Sequence, residues 1–81
     1  MPDTFLQVRR ILIERFAVNP DSVQPKTDLQ NDLNLDSMDA LDLLLAINET
    51  FGIRISEKSL ESILTIEQLV ACIEKHIAPP T

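Results

Sequence analysis

The sequence predicts an all-α fold, a small four-helix bundle with three longer helices and one short helix. Three observations predict it. Apolar residues recur at helical intervals in three separate stretches, and each stretch opens on a residue suited to capping. The chain holds one glycine, and its only aromatic residues are three phenylalanines, a composition that disfavours a β-sandwich or a glycine-rich phosphate cradle. With 81 residues, 44% of them apolar, it is long enough for one modest core and too apolar to be disordered by composition.

The first helix is expected over about residues 4–17. Thr4 and Gln7 have capping-box spacing, and Val8, Ile11, Leu12 and Phe16 follow on one face. The stretch "VNPDSVQPKTD" ends it, since two prolines, Asn19 and Asp21 all favour turns. A long loop then runs over 18–36, with Val23, Leu29 and Leu33 expected to pin it to the core. The second helix is expected over 37–51, with Asp36 as N-cap and Gly52 just past its end. On a helical wheel Met38, Ala40, Leu41, Leu43, Leu44, Leu45, Ile47 and Phe51 cover well over half its circumference. Asp39, Asp42, Ala46, Glu49 and Thr50 fill the rest, so this helix reads as central, with one narrow acidic strip.

The alternation in "IRIS" admits a short strand at 53–55, but one without a partner. Ser56 can cap a short helix over 57–62, with Leu60 and Ile63 turned inward. Thr65 and Gln68 form a second capping box, and Leu64 and Leu69 have the spacing of a hydrophobic staple. Ile66, Leu69, Val70, Ile73 and Ile77 then form the stripe of a last helix over 66–77, and 78–81 read as a tail. No internal repeat or low-complexity segment divides the chain, so residues 1–81 read as one domain.

Thirteen acidic residues against seven basic ones give a net charge of −6, which repels nucleic-acid phosphates and attracts proteins with basic patches. The charge is uneven. Five aspartates and no basic residue lie between Asp28 and Asp42, whereas Arg9, Arg10 and Arg15 sit in the first helix. A lone cysteine, Cys72, rules out an internal disulfide and a cysteine-based zinc site. A reducing, cytoplasmic setting is therefore expected. "MPDTFLQVRR" does not read as a signal peptide, and no apolar run approaches the roughly 20 residues that span a bilayer. The expected state is a monomer without nucleic-acid or membrane partners.

The stretch "DLNLDSMD" concentrates the candidate chemistry. Asp32, Asn34 and Asp36 match the first, third and fifth ligands of an EF-hand loop. Ser37 stands where that loop needs its glycine, however, and Leu43 where it needs a bidentate glutamate, so no metal site is expected. A serine nucleophile needs a base, and the only histidine, His76, falls at the far end of the last helix. His76 and Cys72 read as boundary residues of that helix. On a small convex bundle with no evident pocket, Asp39 and Asp42 read as a solvated acidic face. No catalytic residues are assigned. Ser37 remains with two readings: an ordinary first-turn residue, or a modified serine whose phosphodiester the helix N-terminus would favour.

The stretch "DLNLDSMDALDLLLAINETFGIRI" resembles the core of the acyl carrier proteins, whose signature is D-S-[LM]-[DE] at the start of the second helix. "QVRRILIERFAV", "TDLQNDL", "FGIRIS" and "TIEQLVACIEKHI" fall in register with the same family, so the resemblance covers nearly the whole chain. It implies that Ser37 carries 4′-phosphopantetheine, transferred from coenzyme A by a phosphopantetheinyl transferase. It implies a docking surface at Asp36, Met38, Asp39, Asp42, Glu49, Glu57 and Glu61, facing basic patches on acyl-handling enzymes such as a ketosynthase, acyltransferase or acyl ligase. Leu41, Leu44, Leu45, Ile47, Ile63 and Ile66 match the lining that shelters an acyl chain. The implied function is carriage of acyl thioesters in fatty-acid, polyketide or related specialised lipid synthesis, without catalysis by the chain itself. The reading from a different class is an acidic helical interaction module with no prosthetic group.

Some positions depart from the family pattern. Asn34 replaces the usual glycine two residues before Asp36, and asparagine tolerates a left-handed backbone. Asn48, Thr50, Arg54 and Lys58 stand where acids are frequent, which suggests a restricted partner set. Asp36 itself argues against a peptidyl carrier, where G-G-x-S is usual.

Overall fold

The computed structural model describes residues 4–77. Four helices follow in order: α1 (Thr4–Phe16), α2 (Ser37–Phe51), the short α3 (Glu57–Leu60) and α4 (Ile66–Ile77). The described residues contain no strand, and the expected tail lies outside them. The all-α bundle expected from the apolar periodicity is the fold observed. Helix α1 packs on α2 and α4, and α2 packs on α3.

The core is aliphatic. Val8, Ile11 and Leu12 of α1 meet Leu43, Leu44, Ala46 and Ile47 of α2 and Ile66, Leu69 and Ile73 of α4 in one cluster. Phe5, Phe16 and Phe51 are only partly buried at its edge. Thr4 is itself helical and buried, which removes it from the capping role that its spacing with Gln7 suggested. Ala17 adopts a left-handed backbone (φ 53°) just after α1 and turns the chain out of the helix.

The wheel reading of α2 needs correction. Ala46, assigned to the outer arc, is buried, whereas Met38 and Leu45 are 75% and 61% exposed. The helix is therefore buried on one side and carries an apolar as well as an acidic outer stripe. Gly52 closes it in the left-handed region (φ 66°), as expected of a residue in that position.

Residues 18–36 are ordered by their own turns. Asn19 caps a 3₁₀ turn at Pro20–Ser22. Thr27 is buried, its hydroxyl accepting from Gln24 N at 2.9 Å and donating to Ser22 O at 2.7 Å. Val23 and Leu29 enter the core as expected, joined by Leu35. The loop also pairs with the segment before α4: Leu29 N donates to Leu64 O (2.9 Å), Ile66 N to Thr27 O (3.1 Å) and Glu67 N to Pro25 O (2.8 Å). Thr65 and Gln68 close the capping box that their spacing predicts. The staple is less complete, because Leu69 is fully buried while Leu64 stays 54% exposed.

"IRIS" forms no strand. Asn48 of α2 clamps it instead, accepting from Ile55 N at 2.9 Å and donating to Ile55 O at 3.4 Å. Ile55 is thereby held in the core. Ser56 caps α3 as expected, but that helix stops at Leu60, shorter than the sequence suggested, and Glu61 to Ile63 continue as a turn.

Asn34 sits at φ 57°, left-handed and exposed. Its backbone turn leads straight into the cap of α2. Asn34→Gly should keep full stability, whereas Asn34→Val should lose about 1–2 kcal/mol in urea unfolding, the cost of a left-handed backbone for a side chain that cannot tolerate it.

Candidate functional site

The site is built at the N-terminus of α2. Asp36 is extended, and its carboxylate accepts from Asp39 N at 2.9 Å. Asp39 returns the interaction, its carboxylate accepting from Asp36 N at 3.4 Å. The aspartates on either side of Ser37 thus form a reciprocal capping box, with Asp39 in the place usually taken by glutamate. Ala40 N donates to Asp36 O and starts the helical ladder. The amides of Ser37 and Met38 are the first-turn donors that neither ladder nor cap uses.

Ser37 is exposed, the first residue of the helix. It stands at the mouth of a cleft of about 330 Å³. Leu35, Ala40, Leu43, Leu60 and Ile63 give the cleft an apolar wall, and Asp36, Glu57 and Glu61 also line it. The pocket that the sequence did not reveal is therefore beside the serine. The loop contributes Leu29 and Gln30, and the turn before α4 contributes Leu64.

Apart from Asp39, the residues singled out from sequence fall into three groups. Asp36, Ser37, Glu57, Glu61, Leu41 and Ile63 meet at the cleft. Met38, Asp42, Leu45 and Glu49 recur at intervals of four, three and four along α2 and form its outer stripe. Leu44, Ile47 and Ile66 lie in the closed core. Asp39 belongs chiefly to the cap. Arg15 was missed: its guanidinium donates to the Asp42 carboxylate at 2.7 Å, tying α1 to α2. The Asp-x-x-Asp spacing of the capping box was available in the sequence, but the Arg15 contact, 27 residues apart, left no local signal.

His76 and Cys72 border a separate, shallow cleft between α3 and α4. Within α4, His76 Nδ1 lies 2.8 Å from Cys72 O, the distance of an N–H donated to that carbonyl. The described residues therefore set no histidine base beside Ser37, and they contain no group of three metal-ligating side chains.

Asp28 anchors the loop that floors the cleft. Its Oδ1 accepts from Asn31 N (2.8 Å) and Gln30 N (2.9 Å), and its Oδ2 accepts from Asn31 Nδ2 (3.2 Å). Its carboxyl is held below the ordinary value of 3.8, first by the Asn31 backbone N–H, against a smaller opposing effect of desolvation, with Gln30 N–H and the Asn31 side chain adding to the lowering.

The sequence profile described as "Phosphopantetheine attachment site" matches residues 7–73. An acyl carrier protein of Zymomonas mobilis is 36% identical over 78 residues, 96% of this chain and all of that one. Another, of Helicobacter hepaticus, is 38% identical over 74 residues, 91% of this chain and 97% of that one. Among solved structures, the acyl carrier protein of Thermotoga maritima superposes with a TM-score of 0.79 at 21% identity, covering 89% of this chain and 84% of that one, a likeness of fold.

The Asp28 anchor makes a pH prediction. A carboxyl whose folded pKa is depressed contributes stability above its unfolded value, and that contribution fades as pH falls through the folded value. Asp28→Ala should therefore be less stable than wild type at pH 7, with the gap closing below about pH 3.8. Urea unfolding at pH 7, 5 and 3 measures it, and a gap that is constant with pH would contradict the assignment.

Proposed function

This chain belongs to the acyl carrier protein family, and from that membership we propose that Ser37 is its attachment residue for 4′-phosphopantetheine. The observation that carries the reading is the position of the serine: an exposed hydroxyl in the first turn of α2, at the mouth of an apolar cleft rimmed by acids. The residues fit such a group. A phosphodiester at Ser37 would lie where the free Ser37 and Met38 amides and the helix dipole favour negative charge. The apolar wall of Leu35, Ala40, Leu43, Leu60 and Ile63 offers a hydrocarbon chain a place out of water. On this reading residues 1–81 make one carrier domain, and the family profile spans 7–73 of them.

When attached, the group supplies a terminal thiol that holds an acyl chain as a thioester. The chain's own residues present and orient. The reciprocal bonds of Asp36 and Asp39 fix the first turn, and so the backbone position from which Ser37 extends its side chain. No histidine stands beside Ser37 among the described residues, and on this reading deprotonation of the hydroxyl is left to the phosphopantetheinyl transferase. Asp36, Glu57 and Glu61 at the cleft, with Met38, Asp42 and Glu49 on the outer stripe, form the surface that meets basic faces of the transferase and of acyl-handling enzymes. Ketosynthases, acyltransferases and acyl ligases of fatty-acid, polyketide or related lipid synthesis are the partners of this chemistry. Encounters of this kind are steered by charge, fast and weak, and they weaken in salt. No helix of the described residues is long and apolar enough to cross a membrane, and the reading sets the carrier in the cytoplasm, where coenzyme A is at hand.

Intact-mass spectrometry after incubation with coenzyme A and a broad-specificity transferase tests the assignment. Wild type should gain one phosphopantetheine, and Ser37→Ala should gain none. Absence of any gain with several transferases would overturn it.

A further inference from the structure

The outer stripe of α2 has an unequal charge pattern. Met38 and Leu45 are exposed apolar groups, and Asp42 and Glu49 are the acids between and beyond them. Glu49 has no ion pair among the described residues, whereas Asp42 is bound to Arg15 at 2.7 Å. The only other ion pair of the described residues, Arg10–Glu14, lies within α1. Both partners of the Arg15–Asp42 pair are about half exposed, 49% and 46% at the side chain. A pair so open to water adds little to stability. It does set a guanidinium at the edge of the stripe, within contact range of anything that docks there.

On the carrier reading above, we infer that Arg15 is a specificity residue of this docking surface. It occupies the Asp42 carboxylate and disfavours partner faces that bring a cation opposite that point. The face that fits is apolar opposite Met38 and Leu45, cationic opposite Glu49, and neutral opposite the Arg15–Asp42 pair. A partner cation aimed at Asp42 must displace Arg15 or approach it, and either step costs part of the attraction that the bare carboxylate would supply. The acidic strip that the sequence displays is thus effective over a shorter length than its residues suggest.

The test compares full-length wild type, Arg15→Gln, Arg15→Lys and Arg10→Gln as substrates of a transferase with a basic docking face, at low and at physiological salt. Arg15→Gln should raise kcat/KM for modification of Ser37 by about two- to fivefold, the range of an exposed ion pair, with the gain shrinking in salt. Arg15→Lys should stay at the wild-type value. Arg10→Gln changes the net charge equally but frees no carboxylate of the stripe, and should leave the rate unchanged. No gain in Arg15→Gln, or an equal gain in Arg10→Gln, would overturn the inference. A second readout is independent of Ser37: NMR titration of the same variants with a lysine-rich amphipathic helical peptide, following the amides of residues 38–49. Arg15→Gln should bind the peptide about two- to fivefold more tightly than wild type, and equal binding would overturn the inference. Failure of wild type to be modified would count against the carrier reading alone, and the peptide series would still decide the role of Arg15.

Discussion

The arrangement depends on how the N-terminal amides of α4 are satisfied. A helix leaves its first N–H groups without intrahelical partners, and burying such an end requires acceptors from elsewhere. Here Ile66 N reaches Thr27 O and Glu67 N reaches Pro25 O, while Gln68 N is met by the Thr65 hydroxyl. Two of the three acceptors come from the loop between α1 and α2. Ile66 is fully buried, so these bonds fix the loop against the core and do not merely decorate its surface. With Leu29 N bonded to Leu64 O and Leu35 N to Leu29 O, the register continues to the residue before Asp36. The long loop is ordered by these bonds to α4 as well as by its own turns.

That register positions the site. Leu29, Gln30 and Leu35 form the loop side of the cleft, and Asp36 follows at once as the cap of α2. The left-handed Asn34 makes the turn that lets a buried Leu35 be followed by an exposed Asp36 and Ser37. Thus the serine's place at the cleft mouth follows from backbone bonds made at the other end of the loop. The same logic explains Asn48, which stands where the family more often has an acid. Its amide holds both polar groups of the Ile55 backbone, a bond pair that a carboxylate could only half reproduce because it has no N–H to donate.

What could be read in the sequence was mostly local, although the equally local Thr4–Gln7 capping box is not observed. Helical periodicity, the caps at Asp36, Ser56 and Thr65, and the left-handed Gly52 all depend on residues within a few positions of each other, and all appear as expected. The two faces of α2 were harder. Leucine and methionine read as core and alanine as neutral, yet Ala46 is buried in the core cluster, while Met38 and Leu45 face outward. Side-chain type cannot tell which side of an apolar helix the rest of the chain will cover. The cleft was invisible for the same reason, since its walls come from the loop, α2, α3 and the turn before α4. The motif named the serine; only the packing of distant segments made a pocket beside it.

On the carrier reading helix α2 is both the central pillar of the bundle and the surface offered to partners, and it divides its circumference to do so. Leu43, Leu44, Ala46 and Ile47 face the core, Ala40 and Leu41 border the cleft, and Met38, Asp42, Leu45 and Glu49 face outward. Fifteen residues make about four turns, enough for each sector to hold a separate set of side chains. The sectors join only at the first turn, where Asp36 and Asp39 cap the helix, flank Ser37 and contribute charge at once. A substitution there would disturb the cap and the surroundings of Ser37 together, whereas one at Met38, Leu45 or Glu49 would alter the outer stripe without reaching the core. On that reading partner preference has most room to vary along the outer stripe, and along whatever α1 lays against it, which is where Arg15 stands.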